Sequence, residues 1–156
     1  MIKKVFLFIS FIVFLFANEK PYQIKLINPL DRSQDRYCLD ILGSGSYIRP
    51  DMPIIGHNCK PGLYADEAFI FKNDGSTYFP AFNLCVTIAG VNEYVLDYTP
   101  LVLQQCNKDI AFGNTQFMQK FEYTKDKKLK HKNSNKCLEM GSEFSRTFSQ
   151  AHTWRT

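Results

Sequence analysis

The sequence predicts an all-β chain built from three similar units. The first observation behind this is an ungapped internal repeat. Phe69–Ile88 lies on Phe121–Met140 with Phe69 on Phe121, Phe71 on Tyr123, Asp74 on Asp126, Asn83 on Asn135 and Cys85 on Cys137. Cys38–Cys59 and Cys85–Cys106 are equally long and also align, with identities at Cys38/Cys85, Ile41/Ile88, Gly43/Gly90, Tyr47/Tyr94, Pro53/Pro100 and Cys59/Cys106. The second observation is that β-branched and aromatic residues recur in short runs separated by turn residues. The third is that no segment sustains a helical period. A repeat of about 50 residues fixes the architecture before any local motif does. It sets units near 22–59, 69–106 and 121–156, with Tyr22 as far ahead of Cys38 as Phe69 is ahead of Cys85.

Met1–Ala17 stands outside the repeat. Lys3 and Lys4 precede an apolar run from Val5 to Phe16, and Ala17 ends it. This reads as a signal peptide, with a run too short to span a bilayer. The remainder, 18–156, is expected to be one exported domain, periplasmic or secreted, with no transmembrane segment after processing. The chain carries a formal charge of +4, and two of those charges leave with Lys3 and Lys4. Overall charge therefore gives no reason to expect nucleic-acid binding.

Within the first unit, Ile24 and Leu26 mark a strand stopped at Asn28-Pro29, and Tyr37–Ile41 is a second. Gly43-Ser44-Gly45-Ser46 reads as a turn, because a phosphate-binding loop needs a helix after it and Tyr47-Ile48-Arg49-Pro50 supplies none. Lys60-Pro61-Gly62 breaks unit one from unit two. Asn107–Gln116 breaks two from three, with turn chemistry at Gly113-Asn114.

The unit itself is aromatic, turn, strand, then Cys-Leu-Asp-Ile in unit one and Cys-Leu-Glu-Met-Gly in unit three. An apolar strand into His57-Asn58-Cys59 or Gln104-Gln105-Cys106 closes units one and two. This pattern resembles the repeat of ricin-type (Q-x-W) β-trefoil lectins, and Gln119-Lys120-Phe121 resembles the Q-x-W motif with Phe in place of Trp. The resemblance implies a β-trefoil of twelve short strands, six closing a barrel and six capping it. The lectin-like subunits of the cytolethal distending toxins are similar to it too. Fold alone does not fix function, so two expectations stand. One is a non-catalytic carbohydrate-binding module. The other is a protein-interaction or cell-surface-binding subunit that has lost sugar binding.

Export into an oxidising compartment and the equal spacings make Cys38–Cys59 and Cys85–Cys106 the expected disulfides. Each would stabilise by about 3 kcal/mol. Cys137 is left as a free thiol, expected to be structural and buried. In the family, an aspartate just after the first cysteine accepts hydrogen bonds from sugar hydroxyls. An aromatic two residues before the second cysteine stacks on the ring, and amide side chains near the Q-x-W add contacts. The resemblance carries these roles to Asp40, His57, Asp66 and Glu67 in unit one. Unit two has Thr87 and Gln104 at the corresponding places, and unit three has Glu139 and Arg155. Gln119 is expected to hold backbone groups. Unit one is therefore the expected pocket, with a glycan or glycoconjugate as ligand.

The chain's three histidines, His57, His131 and His152, stand in no metal-ligand spacing, and no Gly-x-Ser-x-Gly elbow is present. No metal, cofactor or catalytic residue is expected. Lys128, Lys130 and Lys132 alternate with Leu129 and His131, so a strand would put them on one face. That row could meet an acidic glycan or an anionic membrane, or could be the solvent face of a hairpin.

Overall fold

The computed structural model describes residues 19–109, 113–140 and 154–155, and the expected leader lies outside them. The strands among the described residues are β1 (Lys25–Leu26), β2 (Tyr37–Asp40), β3 (Ile55–Asn58), β4 (Ile70–Phe71), β5 (Thr77–Phe79), β6 (Leu84–Ile88), β7 (Leu101–Gln105), β8 (Phe121–Tyr123), β9 (Leu129–His131) and β10 (Trp154–Arg155). They form sheets ordered β10-β1-β2-β3, β4-β5-β6-β7 and β8-β9. The all-β expectation holds.

The repeat has a backbone cause. The residues two before Cys38, Cys85 and Cys137 are Arg36, Asn83 and Asn135, and all are left-handed, with φ of 58°, 56° and 58°. Asparagine visits that region more readily than most residues, which explains why Asn83 falls on Asn135. Arg36 is held there by its carbonyl, which accepts from Cys59 N at 3.1 Å, and by its Nη1, which donates to Ile27 O at 2.9 Å. After the turn, Cys85 faces Tyr78 and Cys137 faces Lys130, the latter as an isolated bridge.

Unit one departs from this register. Cys38 faces Lys25 across the longer loop from Ile27 to Arg36, so Tyr22 is not the strand equivalent of Phe69. The edge of β1 is instead covered by β10 from the far end of the chain, as β4 covers β5. Tyr22 pairs with Phe69 itself: Tyr22 N donates to Phe69 O at 2.9 Å and Phe69 N to Tyr22 O at 3.0 Å. That exchange ties unit one to unit two. Ile54 N to Leu101 O (2.8 Å) ties them a second time, and Phe121 N to Gly75 O (2.8 Å) ties two to three.

Strand alternation sends one set of side chains into a shared core of Leu26, Leu39, Ile41, Phe69, Phe79, Val86, Met118 and Phe121, among others. Phe69 packs on Phe79 with ring centroids 4.6 Å apart, and Phe121 packs edge-on against His131 at 5.5 Å. His131 thus sits in unit three where Phe79 sits in unit two. The break before unit three holds a single helical turn, α1 (Thr115–Met118), capped by Asn114 Oδ1 accepting from Gln116 N at 2.9 Å. One turn is too short to leave a period in the sequence. Both expected disulfides are formed, with Cα–Cα distances of 4.9 and 5.0 Å. Cys137 is free but half-buried, not buried as expected, because it stands on an isolated bridge and not within a covered strand.

Candidate functional site

The end of β2 puts Asp40 beside β3, and the Cys38–Cys59 disulfide clamps the two strands. His57 faces Cys38 on β3. The chain then passes Lys60 and returns, and Ile41 N donates to Asp66 O at 3.1 Å, drawing Asp66 and Glu67 to the end of β2. The residues read from sequence as the pocket, Asp40, His57, Asp66 and Glu67, are therefore brought together.

They meet around Lys60, the first residue of the Lys60-Pro61-Gly62 break. Lys60 Nζ donates to Asp66 Oδ2 at 2.5 Å and to Asp40 Oδ2 at 3.1 Å, and lies 4.0 Å from Glu67 Oε1. Its backbone N–H donates to Glu67 Oε2 at 3.1 Å. Gln23 completes the cluster, donating from Nε2 to Glu67 Oε2 at 2.6 Å and to the carbonyls of Lys60 and Gly62. No motif marks Lys60 or Gln23. The available signal was electrostatic: three acids converging in one unit require a cation, and Lys60 is the lysine beside the clamp.

Asp40 is 2% exposed, Asp66 4% and Glu67 0%. A solvated turn aspartate is thereby ruled out for Asp40. Its neighbours Leu39 and Ile41 enter the core as alternation requires, while Lys60 covers Asp40 on the other side. His57 is the open member, its side chain 53% exposed with Nδ1 3.6 Å from Asp40 Oδ2. Burial raises the Asp40 carboxyl above its ordinary pKa, against the lowering pull of Lys60. Burial likewise raises Glu67, against its bonds from Lys60 N and Gln23. For Lys60, burial acts to lower the ammonium pKa, but the bonds to Asp66 and Asp40 outweigh it and hold it above the ordinary value.

A family model described as the ricin-type β-trefoil lectin domain matches residues 29–156. The chain belongs to that family. Among solved structures it resembles the agglutinin from Abrus precatorius, at 14% identity and a TM-score of 0.56 over 89% of this chain. The match spans 45% of the agglutinin chain, so the likeness speaks for the fold alone. No curated protein matches the sequence.

In this lectin domain the Q-x-W-like glutamine does hold backbone groups. Buried Gln119 accepts from Asn107 N at 3.1 Å and donates to Gln105 O at 3.0 Å and Thr87 Oγ1 at 2.9 Å. Phe121 is core. The place in unit two that matches Asp40 is thus filled by an internally bonded, buried Thr87. In unit three Glu139 is exposed, and the side chain of Arg155 lies outside the described residues.

The basic row alternates as expected, with Leu129 and His131 buried between the lysines. It is not an open cationic face, however. Lys128 pairs with Asp126 at 2.9 Å and Lys130 with Glu122 at 2.5 Å. Lys132 lies over Gly75, where an added Cβ would meet its Nζ. Among the described residues no helix is long and apolar enough to cross a membrane, and no group of His, Cys, Asp and Glu is placed to hold a metal ion.

Proposed function

We propose that the chain is an exported, non-catalytic carbohydrate-binding module whose glycan site is the unit-one pocket. The observation that supports this most is the convergence of Asp40, His57, Asp66 and Glu67 at one place, clamped by a disulfide and open to solvent at His57. Sugar hydroxyls take over acceptors on Asp40 and Asp66 as Lys60 gives way, and the imidazole of His57 covers one face of the ring. Charge-assisted hydrogen bonds to a fixed carboxylate suit a polyhydroxylated ligand. Three acids against one ammonium leave the cluster net negative and disfavour acidic sugars, so the expected ligand is neutral.

The test is a glycan array with the 18–156 protein and with Asp40→Asn. Neutral glycans bound by the parent and lost in the variant support the site. Equal binding by both places the sugar elsewhere.

A second reading, an interaction or cell-surface subunit of the kind found in cytolethal distending toxins, draws support from a different feature. Val91, Tyr94 and Leu96 are exposed together on the loop between β6 and β7. Cell binding that survives enzymatic removal of surface glycans and is lost in Leu96→Asp would favour this reading over the first.

A further inference from the structure

In unit two the residue two before the core aromatic Phe121 is joined to the strand that carries the first half-cystine. Gln119 Oε1 accepts from the amide that follows Cys106, and Gln119 Nε2 donates to Thr87, two residues after Cys85. In unit one Glu67 stands where Gln119 stands. Its Oε2 accepts from Lys60 N, the amide that follows Cys59. In the repeat, its other oxygen corresponds to the Gln119 amide nitrogen, whose side-chain partner Thr87 corresponds to Asp40, two residues after Cys38.

Both members of that pair are now acceptors. Asp40 Oδ1 and Glu67 Oε1 are each buried, and among the described residues neither has a hydrogen-bond donor. Lys60 serves the opposite oxygen of Asp40 and stops 4.0 Å short of Glu67 Oε1. Gln23 serves the opposite oxygen of Glu67. Two buried carboxylate oxygens that no protein donor serves are costly as a doubly charged pair, and a hydrogen held between them removes that cost.

We propose that Asp40 and Glu67 share one proton at neutral pH, forming a carboxyl–carboxylate pair that replaces the Gln119–Thr87 bond of unit two. The proton comes from solvent, and the pair carries one negative charge in place of two. The charged and titratable groups facing it are Lys60 and Asp66 from the return segment and, at its open edge, the imidazole of His57 from β3. Burial raises both acids, as the sharing requires. When pH rises far enough to remove the proton, the two carboxylates repel and the pocket loosens. The pair lies in the pocket assigned above to a glycan, but its test reads protons and not ligand, so either assignment can fail while the other stands.

The test is infrared difference spectroscopy of the 18–156 protein at neutral pH, with Glu67→Gln and Asp40→Asn. The parent shows the carbonyl band of a protonated carboxylic acid, and each variant loses it. Glu67→Gln restores the amide used in unit two, and Asp40→Asn covers the case in which that variant fails to fold. A raised folded pKa gives stability that is full at low pH and lost as pH rises through it. From about pH 5 to about pH 9 the parent melting temperature therefore falls about 3 °C further than that of Glu67→Gln. A parent without the acid band, or melting profiles that run parallel, overturns the proposal.

Discussion

Lys60 Nζ stands 2.5 Å from Asp66 Oδ2, inside the acid cluster and not out in solvent. With the Lys60 side chain only 20% exposed and Asp40 and Asp66 nearly covered, the pairs are largely buried. Breaking a buried pair from one side strands the remaining charge. Lys60→Met is therefore expected to cost about 3 kcal/mol, read from the urea midpoint at constant m-value. A loss under about 1 kcal/mol would mean the cluster is solvated like a surface ion pair.

The two disulfides differ in what they position. Cys38–Cys59 holds Asp40 and Lys60, while Cys85–Cys106 holds Thr87 and Asn107. Replacing either pair by serines is expected to cost about 3 kcal/mol. Only the Cys38/Cys59 replacement should also weaken binding to an array hit, measured by calorimetry at a temperature where both variants are folded. Equal weakening by both would argue against a unit-one site.

His131 gives an acid-sensitive contribution. Burial lowers its imidazole pKa, against the raising pull of Phe117 O. Nε2 donates to Phe117 O, leaving Nδ1 to accept from Ser134, 2.8 Å from its Oγ. A folded pKa below the unfolded value of about 6.5 gives stability that is present above that value and lost as pH falls. His131→Phe, which copies Phe79, should lose less stability than the parent between about pH 7.5 and about pH 5. Urea unfolding at both pH values checks this, and equal losses would contradict it.

The basic row, with Lys128 and Lys130 paired to acids, predicts a silent surface. Lys128, Lys130 and Lys132 changed together to Gln should alter stability by about 0.5 kcal/mol or less per residue and leave glycan binding unchanged. A large drop in affinity would reinstate the row as a ligand face.

Much of the fold was legible because its causes are local and repeated. The left-handed residue two before each first cysteine recurs in all three units, the disulfide in units one and two, and the Phe69/Phe121 core aromatic in units two and three. The start of unit one was misread, because Tyr22 matches the pattern in spacing while the covering strand comes from Trp154–Arg155. Only pairing across the whole chain reveals that. In the site, Asp40 and His57 were legible through their place beside the cysteines, and Asp66 and Glu67 through their place before Phe69. Lys60 was not, because Lys-Pro-Gly has the chemistry of a turn and its side chain folds back onto residues distant in sequence. The depth of Asp40 was also hidden, since alternation alone turns it away from the core and cannot show that Lys60 covers it.

The most direct test of a unit-one glycan site is to titrate the folded protein with a neutral array hit and follow the imidazole NMR signals of His57 and His131. The His57 side chain is exposed beside the buried acid cluster of unit one, while His131 is buried in unit three. Saturable shifts at His57, with His131 unmoved, and loss of the response in Asp40→Asn are expected. Saturable binding that leaves His57 unshifted would contradict the assignment of the unit-one pocket as the lectin site.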